Sequence, residues 1–184
     1  NSDSNQFPRY DLFKIKINKI NPKKIKNLGN FKFKIDKKIL KKKNILYIDS
    51  NDEDMIGNEF KDVTYKLFNF FLKNKYNIII KKPTREKLSP CLESKSKFKY
   101  ISGPLPIELY DLNNFQFIFG FMTTALVKIS EKNTKIKVCS IINLLSKKKK
   151  NKFEKVIHSF YKNYNPSKGK IYYPLSLKKL IKNK

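Results

Sequence analysis

The sequence predicts an α/β protein, a mostly parallel β-sheet flanked by helices. Three observations carry this reading. Short apolar runs rich in β-branched residues, such as "NIIIK" (77–81), read as strands buried on both faces. The segments between them place apolar residues at helical spacing, and the two patterns alternate along the chain as in β-α-β units. The 184 residues are enough for one domain with a real core and short for two; 40% hydrophobic and 14% aromatic content argue for a folded protein despite 31% charge.

Residues 1–43 are poorly patterned. "DLFKIKINKI" (11–20) and "NFKFKIDKKI" (30–39) alternate apolar residues with lysine, as half-exposed strands do, and Asn21-Pro22 and Gly29-Asn30 punctuate them as turns. This stretch reads as a linker or the remnant of a preceding domain, and the patterned domain runs from 44 to 184.

From Asn44 the rhythm is clear. "ILYID" (45–49) is a short strand that ends in an acidic loop, "SNDEDMIGN". Residues 59–74 place Phe60, Val63, Leu67, Phe68 and Phe71 on one helical face. "NIIIK" is the second strand, "FKYIS" (98–102) the third, and "GPLPIELYDL" follows it with Pro106 suited to the first turn of a short helix. "FQFIFG" (115–120) is the fourth strand and "MTTALVKIS" the helix after it. "KIKVCSII" (135–142) is the fifth strand. "KFEKVIHSFYKNY" (152–164) aligns Phe153, Val156, Ile157 and Phe160 as an amphipathic helix, and "LSLKKLIKNK" closes the sequence. The lysine run 147–150 reads as a solvated loop, with contact to an anionic membrane surface as its variant.

Composition narrows the function classes. The formal charge of +27 points to polyanions, but Arg9 and Arg85 are the only arginines, and a protein that reads bases or clamps phosphates bidentately uses that planar fork. Drift toward A/T-rich codons explains lysine, asparagine and isoleucine together. Cys91 and Cys139 lie far apart without metal-ligand spacing, so neither a zinc site nor a disulfide framework is indicated, and a reducing compartment is the simpler reading. The longest apolar stretch, "FQFIFGFMTTALV" (115–127), is shorter than the roughly 20 residues a bilayer span needs. The reading is therefore cytoplasmic, with peripheral contact to the inner membrane face as its variant.

In an open parallel sheet, ligands bind outside the carboxyl ends of the strands. Four polar segments fall there: the acidic loop 49–54, the "KKPTRE" turn (81–86), the "GPLPIE" turn (103–108) and "GFMTT" (120–124). Gly120 at a strand end, followed by the hydroxyls of Thr123 and Thr124 at a helix start, suits a phosphate; a hydroxyl helix cap with nothing bound is the alternative. Glu108 suits ribose hydroxyls, or simply the positive end of its own short helix. "DSNDED" fails as a calcium loop. Counting from Asp49 puts Asp54 sixth and Phe60 twelfth, and counting from Asp52 puts Val63 twelfth, so a solvated acidic loop is expected and no metal ligand is assigned. His158 reads as structural.

Together, residues from about 45 to 145 resemble the C-terminal half of bacterial sialyltransferases and polysialyltransferases of GT-B architecture, glycosyltransferase family 52 and its capsule-synthesising relatives. The resemblance rests on the order of elements and on "PIE" (106–108) and "GFMTTAL" (120–126). It implies that 44–184 is a Rossmann-like nucleotide-sugar-binding domain, one half of a GT-B enzyme. Its donor would be CMP-sialic acid, from which sialic acid passes to a glycan acceptor. It further implies that Glu108 holds the ribose, that Thr123 and Thr124 bind the phosphate, and that Lys81, Lys82 and Arg85 belong to the same donor site. No cofactor is implied. The acceptor-activating carboxylate would come from an N-terminal domain. The family reads approximately K-x-H-P-R-E where this chain reads Lys81-Lys82-Pro83-Thr84-Arg85-Glu86, so Pro83 stands at the position of the histidine that contacts the donor phosphate. No catalytic residue is assigned. Proline offers no donor from side chain or backbone. The alternative function is a basic nucleic-acid-binding or ribosome-associated protein, suggested by the charge and by aromatics interleaved with lysine in "NFKFK" and "FYKNYN".

Overall fold

The structure is a computed structural model and describes residues 32–50, 52–83, 87–93, 98–101, 105–132, 135–162, 170–178 and 180. Residues from Phe33 onward belong to one compact unit. Its centre is a six-stranded, all-parallel sheet: β1 (Asn44–Ile48), β2 (Asn77–Lys81), β3 (Lys99–Ile101), β4 (Phe117–Gly120), β5 (Lys137–Ser140) and β6 (Ile171–Tyr172). The order across the sheet is β3-β2-β1-β4-β5-β6. This is a Rossmann-like α/β fold, and the chain reverses its direction of travel between β1 and β4.

The central strands are apolar because both faces are covered. In register, Tyr47 lies beside Ile80 on one side and Phe119 on the other, and Leu46 beside Ile79 and Ile118. Alternation then sends Ile45, Tyr47, Ile78, Ile80, Phe117 and Phe119 to one face, and Leu46, Ile48, Ile79, Ile118 and Val138 to the other.

The first face is covered by α2 (Asn58–Lys73), which follows the short α1 (Asp52–Ile56). All five side chains expected on its inner stripe are buried. Full burial of such a side chain stabilises by about 1.5–3 kcal/mol, so the stripe contributes on the order of 10 kcal/mol before chain entropy is counted. Phe71 is the hub, with ring centroids 5.1 Å from Tyr76 and Phe119 and 5.4 Å from Phe117. The second face is covered by α4 (Thr124–Lys132) through Leu126, Val127 and Ile129, and by the 3-10 turn Ile107–Leu109. A third short helix, α3 (Pro90–Glu93), packs Cys91 and Leu92 under the first face.

Several local expectations are corrected. The acidic segment after β1 is not a solvated loop: Asp52–Ile56 is helical, and Asp49 and Asp52 are buried. The lysine run is not a loop either. It forms α5 (Lys147–Lys152), capped by the Ser146 hydroxyl, which accepts from the Lys149 N–H, and followed by α6 (Glu154–Lys162). Glu59 of α2 accepts from the Ser146 N–H, and the Lys149 ammonium donates to the Ile56 carbonyl at 2.7 Å, so the cap and the first turn of the run are tied to the α1–α2 junction. Residues 32–39 do not pair as a strand. Phe33 makes one bridge to Tyr110, and Lys37–Ile39 is a 3-10 turn capped by Asp36. The rest of 1–31 lies outside the described residues. Lastly, β6 had no counterpart in the sequence reading.

Candidate functional site

A cavity of about 300 Å³ opens at the carboxyl edge of the sheet, at the reversal between β1 and β4. Its walls come from four segments: Ile48–Ser50 at the end of β1, Lys81–Pro83 at the end of β2, the Pro106–Glu108 turn, and Thr123–Ala125 after β4. The sequence-selected residues Lys81, Lys82, Glu108, Thr123 and Thr124 therefore meet around one cavity, with Pro83 in its wall. Arg85, and Glu86 beside it, lie outside the described residues.

Lys81 is the last residue of β2, and alternation turns its side chain to the face that carries Ile79. It is 2% exposed. Its ammonium donates to the Lys82 carbonyl at 2.8 Å, and Glu108 lies close enough to act on it electrostatically. Burial pushes the Lys81 ammonium below its ordinary pKa, and the Glu108 carboxylate partly restores it. Lys82 points elsewhere. Its ammonium sits 5.2 Å from the centre of the Tyr100 ring, and its N–H continues the ladder to the Ile101 carbonyl.

The opposite wall is the start of α4. The Thr123 hydroxyl accepts weakly from the Ala125 N–H at 3.4 Å, and its carbonyl accepts from Leu126 at 3.0 Å. First-turn N–H groups lack intrahelical partners and favour negative charge. Gly120 makes this approach possible. A Cβ there would come within 3.1 Å of Thr123 Cγ2 and 3.3 Å of the Ile48 carbonyl oxygen, so the glycine lets the turn after β4 pack against the end of β1. The Ser140 hydroxyl donates to the Phe121 carbonyl at 2.5 Å and fixes the same turn from β5.

Asp49 was singled out only as part of an acidic loop. It is 2% exposed, and it accepts from both the N–H and the hydroxyl of Ser89 at 2.7 Å each. It thus fastens the segment after β2 to the floor of the cavity. A lone acid at the end of an apolar strand was the available signal; its partner lies 40 residues on. Ser50, another lining residue, donates to Asp52 at 2.6 Å. His158 is exposed on α6.

Chemically the cavity combines the buried Lys81 ammonium, the Thr123 and Thr124 hydroxyls at a helix start, and the carboxylates of Asp49 and Glu108, of which Asp49 is engaged by Ser89. The ammonium and the two hydroxyls suit a phosphate group, and the Glu108 carboxylate suits sugar hydroxyls. Among the described residues no cluster of His, Cys, Asp and Glu is arranged to hold a metal ion, and no helix is long and apolar enough to cross a membrane. No protein-family model, curated protein or solved structure matches this chain.

Proposed function

We propose that this chain is the donor-binding half of a sialyltransferase-like glycosyltransferase, and that its cavity receives the CMP end of CMP-sialic acid. One observation carries the reading: five residues selected at separate strand ends line a single cavity at the reversal point of the sheet. In this reading Thr123, Thr124 and the start of α4 take the phosphate oxygens, Glu108 accepts from the ribose hydroxyls, and Lys81 sets its charge against the phosphate.

Transfer breaks the bond between the sialic acid anomeric carbon and the phosphate oxygen. CMP leaves with the electron pair, the acceptor hydroxyl oxygen bonds to the same carbon, and its proton passes to a base. Lys81 and α4 stabilise the charge that develops on the departing phosphate. Neither carboxylate of the cavity is free for the proton: Asp49 is engaged by Ser89, and Glu108 faces Lys81. The base is therefore assigned to the N-terminal domain that the resemblance implies. With Pro83 in place of the histidine, turnover is expected to be lower by about 10²–10⁴ than with a positioned acid. Binding and turnover thus separate in this proposal.

Calorimetric titration of the chain with CMP tests it. The expected result is saturable binding that Thr124→Ala weakens about tenfold, as loss of one hydroxyl–phosphate bond predicts. No heat at millimolar CMP, or a Thr124→Ala variant indistinguishable from the parent, overturns it. A steeply salt-dependent affinity for RNA, insensitive to Thr124, would support the nucleic-acid alternative instead.

A further inference from the structure

Lys81 is the only buried lysine among the described residues. Its place in the sheet explains this. In register it stands between Ile48 of β1 and Ile101 of β3, both buried, on the face that carries Ile79. The same residue nevertheless lines the cavity, with Thr123 and Thr124 on another wall and Glu108 close enough to act on it. A lysine kept from bulk water, but open to a small-molecule cavity, is placed to act as a nucleophile. We propose that Lys81 condenses with the carbonyl group of a small phosphorylated aldehyde to form a reversible imine, while Thr123, Thr124 and the start of α4 hold the ligand's phosphate.

Each part of the wall serves this reaction. Burial among isoleucines disfavours the charged form of Lys81, which brings the free amine nearer to neutral pH. The hydrogen bond from Nζ to the Lys82 carbonyl, at 2.8 Å, fixes the end of a flexible side chain before a ligand arrives. The Glu108 carboxylate can take a proton from the ammonium and pass it on. In the step itself the Lys81 nitrogen bonds to the aldehyde carbon, and the carbonyl π electrons move onto oxygen. Two of the three ammonium protons end on that oxygen, which leaves as water, and the nitrogen closes the C=N double bond. No oxidant or reductant is needed.

The dimensions restrict the ligand. A volume of about 300 Å³ is at the small end of ligand pockets, so it suits a compact phosphate ester rather than a polymer. The helix start and its hydroxyls select the phosphate. Lys81 serves the two classes of ligand in its two protonation states, as an ammonium toward an anion and as an amine toward a carbonyl carbon.

The inference shares its phosphate position with the donor reading and is otherwise independent of it. Pyridoxal 5′-phosphate is the probe. It is added to the full chain in equimolar amount near neutral pH, the imine is trapped with borohydride, and peptide mass spectrometry locates the label. The expected result is label at Lys81, taken up about tenfold faster than at any exposed lysine, because the held phosphate presents the aldehyde to it. Pyridoxal without the phosphate is expected to lose that preference, as is the chain in urea. Thr124→Ala is expected to reduce it about tenfold by loss of one hydroxyl–phosphate bond; Thr124 is exposed, so this substitution does not endanger folding. Label spread evenly over the exposed lysines, or Lys81 labelled equally by pyridoxal and its phosphate, overturns the proposal. Selective labelling that CMP slows supports both readings. Selective labelling that CMP leaves untouched removes the donor reading and keeps the imine site, and CMP binding without selective labelling does the reverse.

Discussion

Gly120→Ala probes the link between the fold and the cavity. The added Cβ meets Thr123 Cγ2 at 3.1 Å, the Ile48 carbonyl oxygen at 3.3 Å and Leu126 Cδ1 at 3.5 Å. Leu126 is at ordinary contact distance, so the first two contacts decide the outcome. The Ile48 oxygen belongs to β1, which is hydrogen-bonded on both sides and cannot retreat alone. Thr123 can turn, but turning it withdraws the hydroxyl from the Ala125 N–H and from the proposed phosphate position. Overpacking of this kind costs about 1–3 kcal/mol. Alanine gains about 0.4–1 kcal/mol by restricting the unfolded chain. The net is a loss of up to about 2.6 kcal/mol, which corresponds to a fall in Tm of up to about 10 °C in a chain of this size. Urea denaturation gives the stability, and CMP titration gives the affinity, expected to weaken about tenfold through the displaced Thr123. A variant as stable as the parent, with unchanged CMP affinity, would refute the argument that the strand ends must approach this closely.

Three further expectations follow from the same geometry. Lys81→Met is expected to abolish measurable CMP binding, because it removes the ammonium from the cavity wall. In the parent, the depressed Lys81 pKa means that the unfolded state binds more protons, so this group's contribution rises as pH climbs from its folded pKa toward the ordinary lysine value; the pH-dependent part should vanish in Lys81→Met. Asp49→Ala leaves the Ser89 N–H and hydroxyl without their acceptor and is expected to cost about 3 kcal/mol, read by urea denaturation, with faster hydrogen exchange in residues 87–93. Burial pushes the thiols of Cys91 and Cys139 up to about 12, so a disulfide reagent at pH 8 should label neither in the folded chain and both in denaturant.

The sheet was legible because its strands are uniformly apolar and its main helix is cleanly periodic: every residue expected on the α2 stripe is buried. The placement of the five cavity residues was legible for a topological reason, since parallel strands bring their carboxyl ends to one edge whatever lies between them. What escaped depended on distant partners or on short elements. Asp49 looked solvated because nothing in "DSNDED" reveals Ser89, and Asp52–Ile56 became helical within a segment read as loop. The lysine run looked like a loop by charge, but lysine is a good helix former. Ser146 caps it, and Glu59 in α2 holds the cap. β6 is two residues long, too short to show a period, and exists only because β5 offers it an edge. The choice between Lys81 and Lys82 was also closed to sequence: one residue of register decides which faces Glu108 and which faces Tyr100.

The central claim, a phosphate-binding cavity at the reversal between β1 and β4, is tested most directly by amide chemical-shift mapping of the labelled chain with CMP and, separately, cytidine. The account predicts saturable shifts with CMP centred on Gly120–Leu126, Lys81–Lys82 and Glu108, lost in Thr124→Ala, and no such pattern with cytidine. Shifts with CMP that spread across exposed lysines and spare Thr123 and Thr124, or equal responses to CMP and cytidine, would contradict it.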